Sequence, residues 1–390
     1  MRAWLVALTL AGCVIPRAYR GGEARTIPDD RWERRLTIPA EAPRTRHVIL
    51  MVGDGMGMGA LTSALVANRG RLSLDRLGVV GLQQTWSADE LVTDGAAAAT
   101  AIACGVKTDN GAIGLTVNGQ PVPSLLQWAE QHGWATGLVA TSRITHATPA
   151  AFVAHHPDHD EEYEIALDFL DMDIDVVIGG GRDRFIGRRD KRDLLFELQE
   201  RYGVTIVDSV RDVARADLGK PVYALTTDGP WPQASKSDPA QLAEATELAL
   251  ERLSRLDQPF FLVVEGSQID WGAQWNHTPR IVSEMLAFDR AVGRAVDFAT
   301  EHPDALVVVT AGHETGGIAI KDGNRITGEV TARFTTHGHT ATLVPVLATG
   351  AGSERFAGIY DNTELHDRLL AAMTNAVTPN HRGVRPAMGN

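Results

Sequence analysis

The chain carries a series of short, continuous apolar runs separated by segments with helical periodicity. HVILMV (47–52), TGLVAT (136–141), DVVIGGG (175–181), FFLVVEG (260–266) and ALVVVT (305–310) have no polar face. Runs of this kind suit parallel strands buried on both sides. VVGLQQT (79–85), VTIV (204–207), PVYALT (221–226) and a last strand within 334–350 complete the strand set. Between them, Ser124–His132, Glu161–Leu170, Leu194–Arg201, Pro239–Leu256, Pro279–Thr300 and Thr363–Met373 repeat apolar residues on one helical face. Pro230-Trp231-Pro232 reads as a surface loop, and the stretch between Ile320 and Phe334 as a short loop. Strand–helix alternation of this length predicts an α/β fold: a doubly wound sandwich with a large, mostly parallel central sheet and helices on both faces.

One helix stands out. Val92–Gly114 reads VTDGAAAATAIACGVKTDNGAIG. Alanine is the strongest helix former, so a helix should open near Gly95 or Ala96. Its N-terminus would offer free N–H groups and partial positive charge to an anion.

Polar residues interrupt the apolar pattern mainly at strand ends. Asp54 sits among glycines in GDGMGMG after the first run, and Glu265 closes FFLVVEG with Asp270 just beyond. His313 and Glu314 follow ALVVVT, and His337 and His339 precede the last strand. Carboxyl ends of strands are where open α/β sheets bind ligands. A carboxylate ending an apolar strand is costly unless paired or metal-bound. Carboxylate with imidazole suits zinc; carboxylate with hydroxyl and water suits magnesium. His146, His155, His156 and His159 gather in one segment, where Pro149 at a first helical position makes Thr148 the expected N-cap.

Composition narrows the class. The chain has 390 residues, 44% hydrophobic and 22% charged, as in globular proteins. A net charge of -12 argues against a nucleic-acid partner. The first residues, MRAWLVALTLAG, give a basic start and a short apolar core, so 1–12 reads as an export signal. Leu10-Ala11-Gly12-Cys13 resembles a lipoprotein processing site, with Cys13 acylated and the product periplasmic or anchored in the outer membrane. A plain secretory leader with a chance cysteine is the alternative. Residues 13–46 then read as a tether, 47–375 as the domain and 376–390 as a C-terminal tail. Cys104 is the only other cysteine, so no intramolecular disulfide framework is expected.

Six segments in order resemble the alkaline phosphatases: MVGDGMGMG (51–59), VTDGAAAATAIACGVKTDNGAIG (92–114), THATPAAFVAH (145–155), FFLVVEGSQID (260–270), VVVTAGHETGG (307–317) and THGHTATLVPV (336–346). The resemblance implies hydrolysis of small phosphate monoesters at a two-zinc, one-magnesium site. It implies that Asp54 bridges a zinc and the magnesium, with Thr148 and Glu265 as the other magnesium ligands. Asp270 and His339 then match ligands of the first zinc and His313 a ligand of the second. His146 matches a position near the magnesium that is His or Asp in the family. A homodimer is a further family expectation.

Four positions depart from the family pattern. Gly95 stands where the nucleophilic serine belongs, and His159 where an arginine clamps the phosphate. Gln274 replaces a histidine ligand of the first zinc, and Gly312 replaces a carboxylate ligand of the second. Glycine offers no nucleophile, His159 cannot form a guanidinium fork, and an amide is a weak zinc ligand. His277 and His337 lie near enough in sequence to be considered as replacement ligands. The neighbouring motif residues are intact, so the loss is selective, as in a pseudo-enzyme or a chain altered deliberately at its site. The expectation is a strongly impaired phosphomonoesterase. The alternative is a non-catalytic exported protein that binds phosphate esters or a partner and keeps the magnesium site.

Overall fold

The structure is a computed structural model and describes residues 45–374. The export signal, Cys13, most of the tether and the C-terminal tail fall outside the described residues. Thr45, read from sequence as tether, is buried and donates its hydroxyl to the Ala351 carbonyl at 3.1 Å. Among the described residues no helix is long and apolar enough to cross a membrane.

Ten strands form one sheet: β1 (His47–Gly53), β2 (Val79–Gln84), β3 (Ala135–Arg143), β4 (Val176–Gly180), β5 (Thr205–Ile206), β6 (Val222–Leu225), β7 (Phe260–Gly266), β8 (Ala305–Thr310), β9 (Val344–Gly350) and β10 (Gly358–Asp361). Their spatial order is β10-β2-β9-β8-β1-β7-β3-β4-β6-β5. Only β9 runs antiparallel to its neighbours β2 and β8. The expected doubly wound, mostly parallel sheet is therefore present. β10 lies beyond the strand read as last, and pairs in parallel with β2.

Every residue of β1 is buried, which explains its unbroken apolar sequence. Side chains alternate across a strand. Val48, Leu50 and Val52 share a core layer with α2 (Gly95–Cys104) and α6 (Asn362–Thr374), through Ala96, Ile102, Leu365 and Leu369. Ile49 and Met51 share the opposite layer with α1 (Met58–Ala67), α3 (Gln241–Ser254) and α5 (Thr278–Glu301). Each such apolar side chain contributes about 1.5–3 kcal/mol on full burial.

Helix α2 starts where the sequence indicates. Asp94 caps it, accepting a hydrogen bond from the Ala97 N–H at 2.8 Å, and Gly105 ends it at φ 71°. Ala96 through Cys104 are all buried, so the alanine run is a packing surface as well as a helix former.

Three local expectations are corrected. Trp231 is buried, and its indole donates to the Thr226 hydroxyl at 2.9 Å, so the Pro-Trp-Pro segment is no surface loop. The stretch after Ile318 is an antiparallel hairpin, Ala319–Asn324 against Glu329–Arg333. Thr148 does not cap its helix: the one-turn helix Ala147–Ala150 has His146 at its N-cap, so Thr148 lies inside it.

Candidate metal centre

The register of the central strands brings the polar residues together. Val52 pairs with Glu265 on one side and Thr310 on the other, and Ala140 also pairs with Glu265. The carboxyl ends of β3, β7, β1 and β8 therefore meet on one edge. Asp54 follows β1 by one residue, and its N–H donates to the Gly266 carbonyl at 3.2 Å. Gly55, at φ 69°, turns the chain sharply away. Helix α4 (Gln268–Gln274) leaves β7 at once and carries Asp270 in its first turn.

Two donor groups result. Asp54, His146 and Glu265 present ligand atoms within 4.8 Å of one another, and so do Asp270, His313 and His339. The groups touch where His313 Nε2 lies 3.2 Å from Asp54 Oδ1.

The first group is an apolar strand edge loaded with carboxylates. Burial, and then the Asp270 charge, pushes Asp54 up to about 7. Burial, and then the Asp54 charge, pushes Glu265 up to about 7, while the Ser267 and Thr148 hydroxyls pull the other way. Ser142 and Ser267 donate to Glu265 Oε2 at 3.2 and 2.5 Å. Glu265 Oε1 and His146 Nδ1 are buried without a hydrogen-bond partner. Buried polar atoms are normally satisfied. Two orphans beside a buried carboxylate pair fit a cation, and Thr148, buried in the same turn as His146, can add a hydroxyl.

The second group is more tightly tied. Asp270 accepts from the Thr315 hydroxyl at Oδ1 (2.5 Å) and from the Gln274 amide at Oδ2 (2.6 Å). Burial alone would raise the Asp270 pKa, but hydrogen bonding to His339 and the imidazole charges hold it below the usual carboxylate range. Burial alone would lower His339; the Asp270 carboxylate overrides it and raises His339 to about 9. His313, buried and next to His339, falls to about 3. The two imidazoles stack with centroids 3.7 Å apart.

The departing positions are placed as follows. An ideal Cβ on Gly95 would meet only His313 Nε2 at 3.6 Å and the Ala147 Cβ at 3.8 Å. The position thus faces the centre, with room for a serine and no group to act as one. A Cβ on Gly312 would lie 3.2 Å from the Ala98 Cβ, a tight but adjustable contact. His159 bonds through its N–H and ring to the Gly111 carbonyl and faces Asp160. It reaches the centre only indirectly, because Asp94 Oδ2 accepts from the Gly111 N–H at 2.6 Å. Gln274 spends its amide on Asp270.

Neither replacement histidine joins the ligands. His277 caps α5, accepting from the Arg280 N–H at 3.1 Å, and His337 bonds the Gln274 carbonyl at 3.0 Å. Glu314 is committed too, accepting from the Gly317 and Ile318 N–H groups and the Thr340 hydroxyl. Sequence reasoning missed Ser142, Ser267 and Thr315, which hold the carboxylates; Ser267 and Thr315 lay inside recognised motifs, and Ser142 did not.

Known proteins share this sequence pattern and fold. A family model for alkaline phosphatase matches residues 45–333. The chain is 38% identical over 337 residues to alkaline phosphatase 4 of Bacillus subtilis, covering 82% of this chain and 71% of the relative. It is similar to the alkaline phosphatase structure from the Antarctic bacterium TAB5, with TM-score 0.81, 38% identity, 86% of this chain and 99% of that chain covered. A histidine-to-aspartate variant of that enzyme with magnesium bound in its M3 site matches with TM-score 0.80, 38% identity, and the same 86% and 99% coverage.

Proposed function

The chain belongs to the alkaline phosphatase family, and on that footing we propose a metal-dependent phosphate-monoester site whose turnover is strongly impaired. The reading assigns Asp54, Thr148 and Glu265 to magnesium, with His146 beside them. That a TAB5 variant carries magnesium in its M3 site supports the choice of ion. The zinc ligands that remain are Asp270 and His339 for one family position, and Asp54 and His313 for the other. When bound, such ions stabilise charge on the attacking and leaving oxygens of phosphoryl transfer.

The residues of this chain can still hold a phosphate. The N-terminus of α2 faces the centre at Gly95 and favours an anion. What carries the reading is Gly95 itself: it occupies the nucleophile position, has space around it, and has no side chain to attack phosphorus. His159, engaged with Gly111, lacks the fork that would clamp two phosphate oxygens.

The test is hydrolysis of an aryl phosphate at alkaline pH with zinc and magnesium supplied. The comparison chain carries Gly95→Ser, His159→Arg, Gln274→His and Gly312→Asp. The substituted chain should turn over at least about 10³-fold faster. Comparable rates would overturn the reading. Phosphate should raise the melting temperature of the parent chain without being released from an ester. For location, we propose export with a lipid on Cys13, so Cys13→Ala should abolish incorporation of labelled palmitate.

A further inference from the structure

Thr315 lies where the two zinc positions meet. Its short strand, Glu314–Thr315, runs antiparallel to His339–Thr340, and Thr315 pairs with His339 itself. Its hydroxyl lies 2.5 Å from Asp270 Oδ1 and 3.1 Å from His313 Nδ1. The residue is fully buried. A Cβ on Gly55 would come within 2.8 Å of that hydroxyl, so the glycine after Asp54 leaves the space it occupies. One residue thus abuts the turn that carries Asp54 and all three members of the second donor group.

The histidines face different carboxylates. His313 Nε2 lies 3.2 Å from Asp54 Oδ1, and His339 Nε2 lies 3.5 Å from Asp270 Oδ1. The rings stack nearly parallel, at 16°, so each serves its own position. A hydroxyl gives one proton and can also accept. At 2.5 Å the contact with Asp270 has the length of a hydroxyl donating to a carboxylate, whereas 3.1 Å is an ordinary N–H···O distance. The proton therefore goes to Asp270, and the hydroxyl oxygen accepts from His313 Nδ1. That leaves Nε2 of His313 for an ion beside Asp54. The same bond fixes Asp270 Oδ1, the oxygen that faces His339. His339 is set separately, because its Nδ1 lies 2.9 Å from the Thr93 carbonyl, which only accepts.

We propose that Thr315 is a positioning residue that couples the two zinc positions. Its one hydroxyl orients a ligand of each, Asp270 by donating and His313 by accepting. This rests on the family reading above and adds a link between two positions that share no ligand. An Asp270 carboxylate fixed by an ion keeps the hydroxyl proton directed at it, which keeps His313 Nδ1 engaged. Loading of either position then favours loading of the other, since such coupling is reciprocal. Without the hydroxyl, His313 Nδ1 loses this acceptor while Nε2 still has Asp54 Oδ1. The ring hydrogen then belongs on Nε2, the nitrogen an ion would need.

The experiment uses the full chain, labelled with 15N at histidine and free of metal, and asks which nitrogen of His313 carries hydrogen. His313→Gln identifies the signals by their loss. Nδ1 should carry hydrogen in the parent and lose it in Thr315→Val, where it moves to Nε2. Thr315→Ser should restore it. His339 should keep its Nδ1 hydrogen throughout, which separates loss of the hydroxyl from loss of the fold. In competition with a chromophoric chelator, Thr315→Val should weaken both zinc ions, about 10–100-fold each. Thr315→Ser should bind as the parent does, and Gln274→Ala, which touches Asp270 alone, should weaken one. A Thr315→Val chain that keeps hydrogen on His313 Nδ1, or loses affinity for one ion only, would overturn the coupling. So would a serine variant as weak as the valine one, which would assign the effect to packing. None of these readouts needs turnover: undiminished ester hydrolysis by the parent would leave the coupling standing and remove the proposal of impaired turnover.

Discussion

Gln274 donates its amide to Asp270 Oδ2 at 2.6 Å, so the residue proposed to stand in for a zinc ligand instead satisfies a candidate one. The bond turns the Gln274 amide NH2 toward the carboxylate and puts it in control of that group. Gln274→Ala should free Asp270 to rotate and weaken zinc about 10–100-fold, the usual effect of losing such a partner. Gln274→His should strengthen zinc binding instead. Competition against a chromophoric chelator measures both.

Gly95→Ser should fold without penalty. The added Cβ makes only ordinary contacts with His313 and Ala147. Urea denaturation should place the variant within about 0.5 kcal/mol of the parent.

Gly312→Asp should behave differently. Its Cβ crowds Ala98, and its carboxylate joins Asp54 and Asp270 in a buried region. In chelator it should lose about 1–3 kcal/mol. Zinc should restore most of that loss, visible as a larger zinc-dependent rise in melting temperature than the parent shows.

Metal removal should destabilise the parent chain. Asp54 and Glu265 are buried together, with Glu265 Oε1 unpartnered. Magnesium at a hundredfold excess over its Kd adds about 2.7 kcal/mol. The stabilisation should appear in calorimetry on adding magnesium after chelation. It should shrink in Glu265→Gln; an equal effect in that variant would remove Glu265 from the site.

Glu130 sets a pH dependence of its own, away from the centre. Burial pushes it from 4.5 to about 8, although it accepts from the Asp173 N–H and the Thr136 hydroxyl. Between those values the folded chain holds a proton that the unfolded chain has lost. Its contribution is therefore complete below about pH 4.5 and disappears as pH rises to about 8. Glu130→Gln should flatten that part of the stability profile and gain about 1–3 kcal/mol above pH 8. Denaturation midpoints at pH 5 and 9 suffice to check it.

The sheet and the candidate metal-binding groups were legible because the central strands are buried on both faces. β1, β7 and β8 could only be written as unbroken apolar runs, so the polar residue ending each run was conspicuous. Asp54, Glu265, His313 and Asp270 all came from that signal and sit where it put them. Thr148 was misplaced because Pro149 suits several positions in a first turn, and helix start depends on the preceding chain. The hairpin after Ile318 gives little to read: Ala319–Asn324 half-buries only Ile320, and Glu329–Arg333 alternates over just five residues, with Val330 and Ala332 half-buried. Trp231 was hidden by its prolines: local composition marked a loop, but burial there comes from tertiary contact.

β1 is the first strand of the domain and lies at its middle, between β7 and β8. As the chain emerges from the ribosome, residues 47–53 must remain apolar and unpaired on both edges until residues 260–266 and 305–310 arrive. Such long-range pairing slows folding and leaves the nascent chain prone to aggregation. A truncated product ending before residue 300 would carry Asp54, His146, Glu265 and Asp270 in sequence yet lack the strand that closes one side of β1. A chain cut short before residue 300 would therefore leave one edge of β1 unpaired rather than form a smaller binding protein.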